Sequence, residues 1–178
     1  MDVYYAYTYG TCGWLALQAV PMLLSPTLLV ASLSPEVREA TTLEVYLSRS
    51  LGLAAITIGA LCVLLTGSVP LSSRLTEAGP TTTDPTDPKA PYALPTLTIT
   101  LMYHSAAAFY AYALWTSTGV WGYAFGVVGS TLLAAVGLWC VLFASSDGRI
   151  SRKTGADKRT SGFPFKNKEA AKRKGKDL

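Results

Sequence analysis

The clearest absence in this 178-residue sequence is charge in the interiors of its four long hydrophobic runs. Half of the residues are hydrophobic and only 15% are charged, which argues against an ordinary soluble domain. A helix needs about 20 apolar residues to cross the hydrocarbon core of a bilayer, and each run reaches that length. The sequence therefore predicts an all-α membrane protein, a four-transmembrane-helix bundle in residues 1–144. Its predicted spans cover residues 11–33, 48–71, 93–116 and 121–144.

Metal-ligating and catalytic side chains are also scarce. The sequence has one histidine, and its three cysteines are widely spaced without a CxxC pair, which argues against a zinc site. No Asp or Glu lies in the interior of a predicted span, so a buried metal, haem or proton pathway lacks the several ligands that it needs. We therefore predict no catalytic residue, no metal and no cofactor, and we favour a non-enzymatic protein while leaving catalysis open.

Three polar residues of the third run form a candidate intramembrane polar site. Thr96, Thr100 and His104 are spaced by four and therefore share one face of a helix. A polar residue at membrane depth is a functional hypothesis by default, because it is costly to place there. His104 could line a lipid- or sterol-binding cavity, or it could hydrogen-bond to a neighbouring hydroxyl. The second interpretation is favoured for a single histidine.

The fourth run carries a small residue at every fourth position. Gly122, Gly126, Ser130 and Ala134 form a stripe along which helix backbones can approach closely. The stripe predicts helix packing, either within the protein's own bundle or against a membrane-protein partner or a second copy of the chain. Packing within the bundle is favoured, because four helices with short loops must first pack on one another.

Prolines and tyrosines mark the first run. Pro21 and Pro26 remove backbone donors and should bend it, and only three spans would remain if this run lay in the membrane interface. The tyrosines that precede the run are predicted to anchor the chain at the interface. They are Tyr4, Tyr5, Tyr7 and Tyr9.

Two local signals precede the second run. The stretch Ser34-Pro35-Glu36 predicts a helix start, with proline at the first helical position and an acidic residue in the first turn. Thr41-x-x-Glu44 has the spacing of a capping box, in which each side chain bonds to the backbone of the other residue.

Positive charge is concentrated at the C-terminus. Residues 145–178 hold eleven of the fifteen Lys and Arg residues and carry a net charge of +7, whereas residues 1–144 carry −3. Cytosolic segments of membrane proteins are rich in Lys and Arg, so the four-span arrangement places both termini in the cytosol with the flexible Pro- and Thr-rich loop 72–92. We predict a disordered cytosolic tail whose partners are anionic lipid headgroups rather than nucleic acid.

The last five residues, KGKDL, resemble a sorting signal. Lys174 and Lys176 occupy the fifth and third positions from the end, as in the dilysine signal KxKxx. Proteins with this signal on a cytosolic tail are retrieved to the endoplasmic reticulum, because a receptor recognises the address. The sequence therefore predicts a multi-pass protein of the endoplasmic reticulum membrane.

Two stretches of the spans carry a family resemblance. SRSLGLAAITIGALCVLLTG and PYALPTLTITLMYHSAAAFYAY resemble small multi-span integral membrane proteins of filamentous fungi, a group without an established function. That resemblance implies no catalytic residues. A second resemblance, carried by Arg49 and Gly52 at the start of a span, is to the four-span sterol-synthesis scaffold of the fungal endoplasmic reticulum.

These features together predict a non-enzymatic scaffold or accessory subunit of the endoplasmic reticulum membrane. The alternative is a lipid- or sterol-handling membrane protein that uses a cavity lined by His104.

Overall fold

Helices account for nearly all of the described chain. The computed structural model describes residues 3–35, 38–66, 90–146 and 149–150. Its helices are α1 (Val3–Leu24), α2 (Pro26–Leu33), α3 (Thr42–Leu65), α4 (Ala90–Thr118) and α5 (Trp121–Trp139). A π-helical turn (Cys140–Ala144) prolongs α5, and two short strands, β1 (Ser145–Ser146) and β2 (Arg149–Ile150), pair antiparallel after it. Over these residues the prediction of a helical fold is confirmed.

The first hydrophobic run forms one long and one short helix. α1 begins at Val3, well before the predicted start of the span at residue 11. Pro21 lies inside α1, and its carbonyl still accepts a hydrogen bond from the Ser25 N–H at 3.0 Å. The chain turns directly before Pro26, and α2 runs at 107° to α1. Because a proline favours the first position of a helix, Pro26 starts a new helix rather than continuing the old one. We call this bend the elbow.

The capping box predicted at the start of α3 is confirmed. Thr41 Oγ1 accepts a hydrogen bond from the Glu44 N–H at 3.3 Å, and the Glu44 carboxylate accepts one from the Thr41 N–H at 2.8 Å. The helix start predicted at Ser34 is wrong over the described residues, because Ser34 is the C-cap of α2 and residues 38–41 are not helical. Pro35 directly follows that C-cap, where a proline prevents the helix from continuing.

The helices pack as two antiparallel pairs, α1 with α3 and α4 with α5. Two glycines of α3 let α1 approach: a Cβ at Gly52 would lie 3.0 Å from the Leu23 side chain, and one at Gly59 would lie 3.4 Å from the Cys12 backbone. A short turn joins α4 to α5, and Gly119 adopts a φ of 71° there, which costs glycine no strain. Contacts between α1 and α5 unite the pairs in one four-helix bundle.

The bundle has two different ends. At the termini end, α1 and α4 begin side by side, and the Tyr4 hydroxyl donates to the Ala93 carbonyl at 3.5 Å. The last turns of α3 and α5 lie at this end too, since Thr66 and Cys140 are both buried near Tyr4. At the opposite end, the elbow end, Tyr123 of α5 donates to a carbonyl of α2 at 3.2 Å.

The bundle is largely apolar outside, and its interior contains polar as well as apolar side chains. Large apolar side chains point outward, and Leu28, Phe109 and Trp121 are 70%, 77% and 79% exposed. This arrangement would be unfavourable in water and suits a lipid environment. The buried polar side chains come from α1, the end of α3, α4 and α5. They are Thr8, Thr11, Thr66, Thr100, His104 and Ser130.

The prediction of four spans is confirmed only in part. By length and composition, two of the described helices could cross a membrane, Thr42–Leu65 and Trp121–Phe143, and the bent pair α1–α2 could be a third. α4 is long, with 29 residues, but its Pro, Thr, Tyr and His residues make it less apolar than these. The predicted flexible loop lies mostly outside the described residues, as do the basic tail from residue 151 and the end of the second predicted span.

Candidate functional site: a buried polar seam

Two side-chain contacts join α1 to α4 inside the bundle. Tyr7 Oη donates a hydrogen bond to Thr100 Oγ1 at 2.8 Å, and the Thr11 hydroxyl lies 3.2 Å from His104 Nε2. Each helix supplies two residues spaced by four, so the contacts form successive rungs on facing helix surfaces. None of the four side chains is more than 7% exposed. We call this ladder the polar seam.

Thr100 extends the seam to the backbone of its own helix. Its hydroxyl contacts the Thr96 carbonyl at 2.8 Å and the Leu97 carbonyl at 3.1 Å, while its oxygen accepts the bond from Tyr7. A threonine hydroxyl that both donates and accepts is fully satisfied, so Thr100 can be buried at little cost. Thr96 is half-buried, and it contributes its carbonyl oxygen to the seam.

His104 is the most enclosed group of the seam. It has no exposed surface, and the rings of Tyr7 and Tyr103 meet its imidazole edge to face, with centroids 6.3 Å and 5.2 Å away. Its Nε2 faces Thr11, whereas its Nδ1 has no hydrogen-bond partner among the described residues. Such an enclosed ring can hold α1 against α4, but it lines no open cavity.

A narrow void continues the seam toward the termini end. Tyr4, Thr8 and Thr66 line it together with seam residues, and it leaves no room for a water molecule. The Thr8 hydroxyl donates to the Tyr4 carbonyl at 3.0 Å, and the Thr66 hydroxyl donates to the Cys62 carbonyl at 2.6 Å. A ligand site needs more space than this, so the void is a feature of packing.

Two glycines of α5 receive aromatic side chains of α1. A Cβ at Gly137 would lie 2.8 Å from Tyr7 Cε2, and one at Gly129 would lie 2.2 Å from Trp14 Cη2. Because Gly137 has no side chain, it leaves a notch into which the Tyr7 ring fits, and we call it the Gly137 notch. The hydroxyl of the same ring reaches Thr100 of α4. We did not predict either glycine from the sequence, although their spacing of two helical turns puts them on one face.

The small-residue stripe predicted on α5 faces neighbouring helices of the same bundle. A Cβ at Gly122 would lie 2.5 Å from a leucine side chain of α2, and one at Gly126 would lie 3.5 Å from Ala111 Cβ in α4. Ser130 is 2% exposed, and Ala134 is half-buried. These contacts favour packing within the bundle over an external partner at this stripe.

The predicted polar residues of α4 share one face, but their partners on α1 were not predicted. Tyr4 and Tyr7 were predicted to anchor the chain at the membrane interface, and this is wrong, because both rings are buried within the bundle. Gly137 leaves space for the Tyr7 ring and Thr100 accepts its hydroxyl, whereas the Tyr4 hydroxyl donates to the Ala93 carbonyl. Lys174 and Lys176 lie outside the described residues.

The described part of the chain offers no cluster for a metal. Within residues 3–35, 38–66, 90–146 and 149–150, no three His, Cys, Asp or Glu side chains come together as a possible ligand set. A metal site in proteins normally has three or four such ligands. The seam is built from hydroxyls and one imidazole, which are suited to hydrogen bonding between helices.

A largely apolar exterior and two or three helices able to cross a bilayer indicate a helical, membrane-associated bundle. The chain belongs to the family described as a domain of unknown function, DUF8792, which matches residues 7–178. No curated protein and no solved structure matches the chain. The family description gives neither source nor activity, so the resemblance to fungal membrane proteins stays a prediction.

Proposed function

We propose that this protein is a four-span, non-enzymatic scaffold or accessory subunit of the endoplasmic reticulum membrane. The observation that carries the proposal is the use of the buried polar groups. The hydroxyls of the seam and the His104 Nε2 are engaged in contacts between helices, and none faces a space that admits a substrate. Association in lipid relies on close packing and such hydrogen bonds, so the seam serves to hold the bundle together.

The pairing of the helices supports four crossings. α5 is apolar enough to span, and α4 runs antiparallel along it from the turn at Gly119, so a bilayer around α5 also surrounds α4. Thr100 and His104 of α4 face α1, while Ile99, Met102 and Phe109 face outward and are 66%, 66% and 77% exposed. In the same way α1 runs along the apolar α3, and its 22 residues reach about 33 Å at 1.5 Å per residue.

The arrangement of the ends supports a cytosolic placement of both termini. α1 begins, and α5 finishes, at the termini end of the bundle, so the basic tail leaves from this end. The positive-inside rule assigns the end with more Lys and Arg to the cytosol. We propose that Lys174 and Lys176 then act as a retrieval signal. The double variant Lys174→Ser/Lys176→Ser should move to later compartments, and Lys166→Ser/Lys168→Ser should not; unchanged localisation of the first variant would refute the signal.

The scaffold proposal is tested by purifying the tagged full-length chain in a mild detergent. We expect a membrane protein to co-purify in a fixed ratio, and we expect the same partner with Thr100→Val, whose change lies inside the bundle. Recovery of the chain with bulk lipid alone, from several detergents that preserve its fold, would contradict the scaffold proposal.

The alternative of a lipid- or sterol-handling protein gains little support from His104. The imidazole is fully buried and contacts Thr11, and the adjoining void is too small for a lipid. A different part of the bundle, the elbow, does offer an open apolar space, and it supports lipid binding without a role for His104.

A further inference from the structure

An open groove of about 490 Å³ lies at the elbow, between α1, α2, the start of α3 and the start of α5. Sites for small molecules occupy roughly 300–1,000 Å³ and are mostly apolar with a few polar groups. The elbow groove fits that description, since most of its walls are aliphatic. Its apolar lining residues are Met22, Leu29, Val30, Leu33, Leu47 and Leu51.

The sequence builds the groove through the sharp bend and through one close helix contact. α2 leaves α1 at 107° and contacts α3, and the groove lies between these helices. Gly52 holds α3 against the end of α1, where a Cβ would lie 3.1 Å from Met22 Cβ. Ser48 Oγ donates to the Met22 carbonyl at 3.3 Å and joins the same two helices one turn before Gly52 in α3. These two contacts fix the side of the groove where α3 meets the end of α1.

Charged groups lie only at one side of the groove. Arg38 and Glu44 line its mouth and form a bidentate ion pair, with Arg38 Nη1 2.9 Å from Glu44 Oε2. The Glu44 carboxylate also accepts from Thr41, and the hydrogen-bonded carboxylate raises the pKa of the Arg38 guanidinium. Both side chains remain accessible, at 47% and 31% exposed. The groove therefore has apolar walls and a charged mouth. This distribution matches an amphiphile, which has an apolar chain and a polar headgroup.

The charges of the rim discriminate between lipid headgroups. Among the described residues next to the mouth, Arg38 is accompanied by Glu39 and Glu44, a net charge of −1, which disfavours a purely anionic head. A neutral hydroxyl headgroup would form no ion pair with the Arg38 guanidinium. A zwitterionic head presents a phosphate to the spare N–H groups of Arg38 and an ammonium to the carboxylate of Glu44, the two charged residues that line the mouth.

We propose that the elbow groove binds one zwitterionic glycerophospholipid of the surrounding bilayer. One acyl chain lies along Leu29, Leu47 and Leu51, and the phosphate meets Arg38 at the mouth. The proposal rests on the membrane placement proposed above, because only then does the elbow end lie at headgroup level. It does not require a protein partner.

The acyl-chain part is tested by filling the groove. The full-length protein is purified in detergent, incubated with dioleoyl phosphatidylcholine and analysed by native mass spectrometry for bound lipid. We expect Leu47→Trp to lower the apparent affinity about tenfold. The matched control is Leu53→Trp, because Leu53 is exposed on the same helix but does not line the groove, and it should bind as the unmodified chain does.

Equal binding by the two tryptophan variants would overturn the groove as the site. If Leu47→Trp lowers the thermal midpoint more than Leu53→Trp does, the smaller change Leu51→Phe replaces it. The criterion is then the same: loss of phosphatidylcholine binding without loss of fold supports the site, and unchanged binding rejects it.

The headgroup part is tested with Arg38→Gln and its charge-matched control Arg49→Gln, which removes an exposed cation of α3 outside the groove lining. We expect Arg38→Gln alone to weaken phosphatidylcholine binding. The unmodified chain should prefer phosphatidylcholine to dioleoyl phosphatidylglycerol and to dioleoylglycerol. Equal or tighter binding of dioleoyl phosphatidylglycerol would overturn the charge argument. Equal binding of dioleoylglycerol would overturn the headgroup part of the proposal, because the groove would then recognise the acyl chains alone.

These outcomes are separable from those of the scaffold experiment. A stoichiometric protein partner without selective lipid binding refutes the elbow site only. Selective phosphatidylcholine binding without any protein partner refutes the scaffold function and leaves the lipid site in place.

Discussion

The polar seam and the elbow groove satisfy their polar groups in opposite ways. In the seam, hydroxyls and an imidazole on two helices contact one another in a space that excludes water. At the elbow, an exposed arginine and glutamate pair with each other beside an open apolar wall. Buried polar contacts hold the helices together in the seam, whereas the charged pair at the elbow stays accessible. In the membrane placement proposed above, that pair lies at headgroup level.

The largest effect should follow from filling the notch that admits the seam tyrosine. Gly137→Leu would drive a side chain into the Tyr7 ring, which cannot withdraw without losing its bond to Thr100. We expect a loss of about 1–3 kcal/mol or more in stability, seen as a lower thermal midpoint in detergent. Gly13→Leu is the control, since a Cβ there meets no atom within 4 Å, and an equal loss at both sites would contradict the notch.

Removing one partner of the histidine should have the next largest effect. Thr11→Val leaves the buried Nε2 of His104 without its contact, at a cost of about 1–3 kcal/mol. The double variant Thr11→Val/His104→Leu removes both polar groups, so we expect it to be more stable than the single variant. Denaturant titrations of both variants measure the difference. A double variant that is less stable than Thr11→Val would show that the imidazole stabilises the bundle by other contacts.

Removing only the tyrosine hydroxyl should have a smaller effect. Tyr7→Phe keeps the ring in the Gly137 notch and removes the hydrogen bond to Thr100, whose hydroxyl still contacts its own helix. Hydrogen bonds between membrane helices average about 0.6 kcal/mol, so we expect a loss of that size. Tyr5→Phe provides the comparison outside the seam. If Tyr7→Phe is as damaging as Gly137→Leu, the hydroxyl rather than the packing controls this part of the bundle.

The smallest stability effect belongs to the elbow ion pair. Arg38 and Glu44 are exposed, and pairs of this kind contribute little to folding. Arg38→Gln should therefore leave the thermal midpoint nearly unchanged while it weakens phosphatidylcholine binding. If lipid-free Arg38→Gln has a clearly lower thermal midpoint and Arg49→Gln does not, the ion pair stabilises the fold. That result would contradict the contrast between the elbow and the seam.

Local features of the fold could be predicted, whereas contacts between distant segments could not. The capping box of Thr41 and Glu44 depends on four consecutive residues, and the polar face of α4 depends on a spacing of four. The seam, by contrast, joins residues 93 positions apart, and no local pattern assigns Tyr7 to Thr100 or Thr11 to His104. Tyrosines near a terminus fit a membrane interface as well as a bundle interior. The choice depends on the glycine that faces them, which the sequence alone does not identify.

The same distinction explains the partial prediction of spans. Hydropathy identifies α3 and α5, because every face of those helices is largely apolar. α4 is less clearly apolar, because it combines the buried Thr100 and His104 with exposed tyrosines. Pro21 and Pro26 predicted a bend in the first run, but its angle of 107° and the groove beside it depend on contacts between helices that composition does not give.

The number of crossings is the central claim, and impermeant thiol labelling of sealed microsomes tests it most directly. Cysteines added at Asp2, Glu39 and Ser161 report on the N-terminus, the elbow and the tail, with the unmodified chain and its three native cysteines as the blank. Four spans predict that Asp2→Cys and Ser161→Cys react in intact vesicles, while Glu39→Cys reacts only after detergent is added. If the first run lies in the membrane interface instead, Asp2→Cys will also react only after detergent is added. If only α3 and α5 cross, or those two with the α1–α2 pair, Glu39→Cys will react together with the tail, and that result would contradict the four-span account.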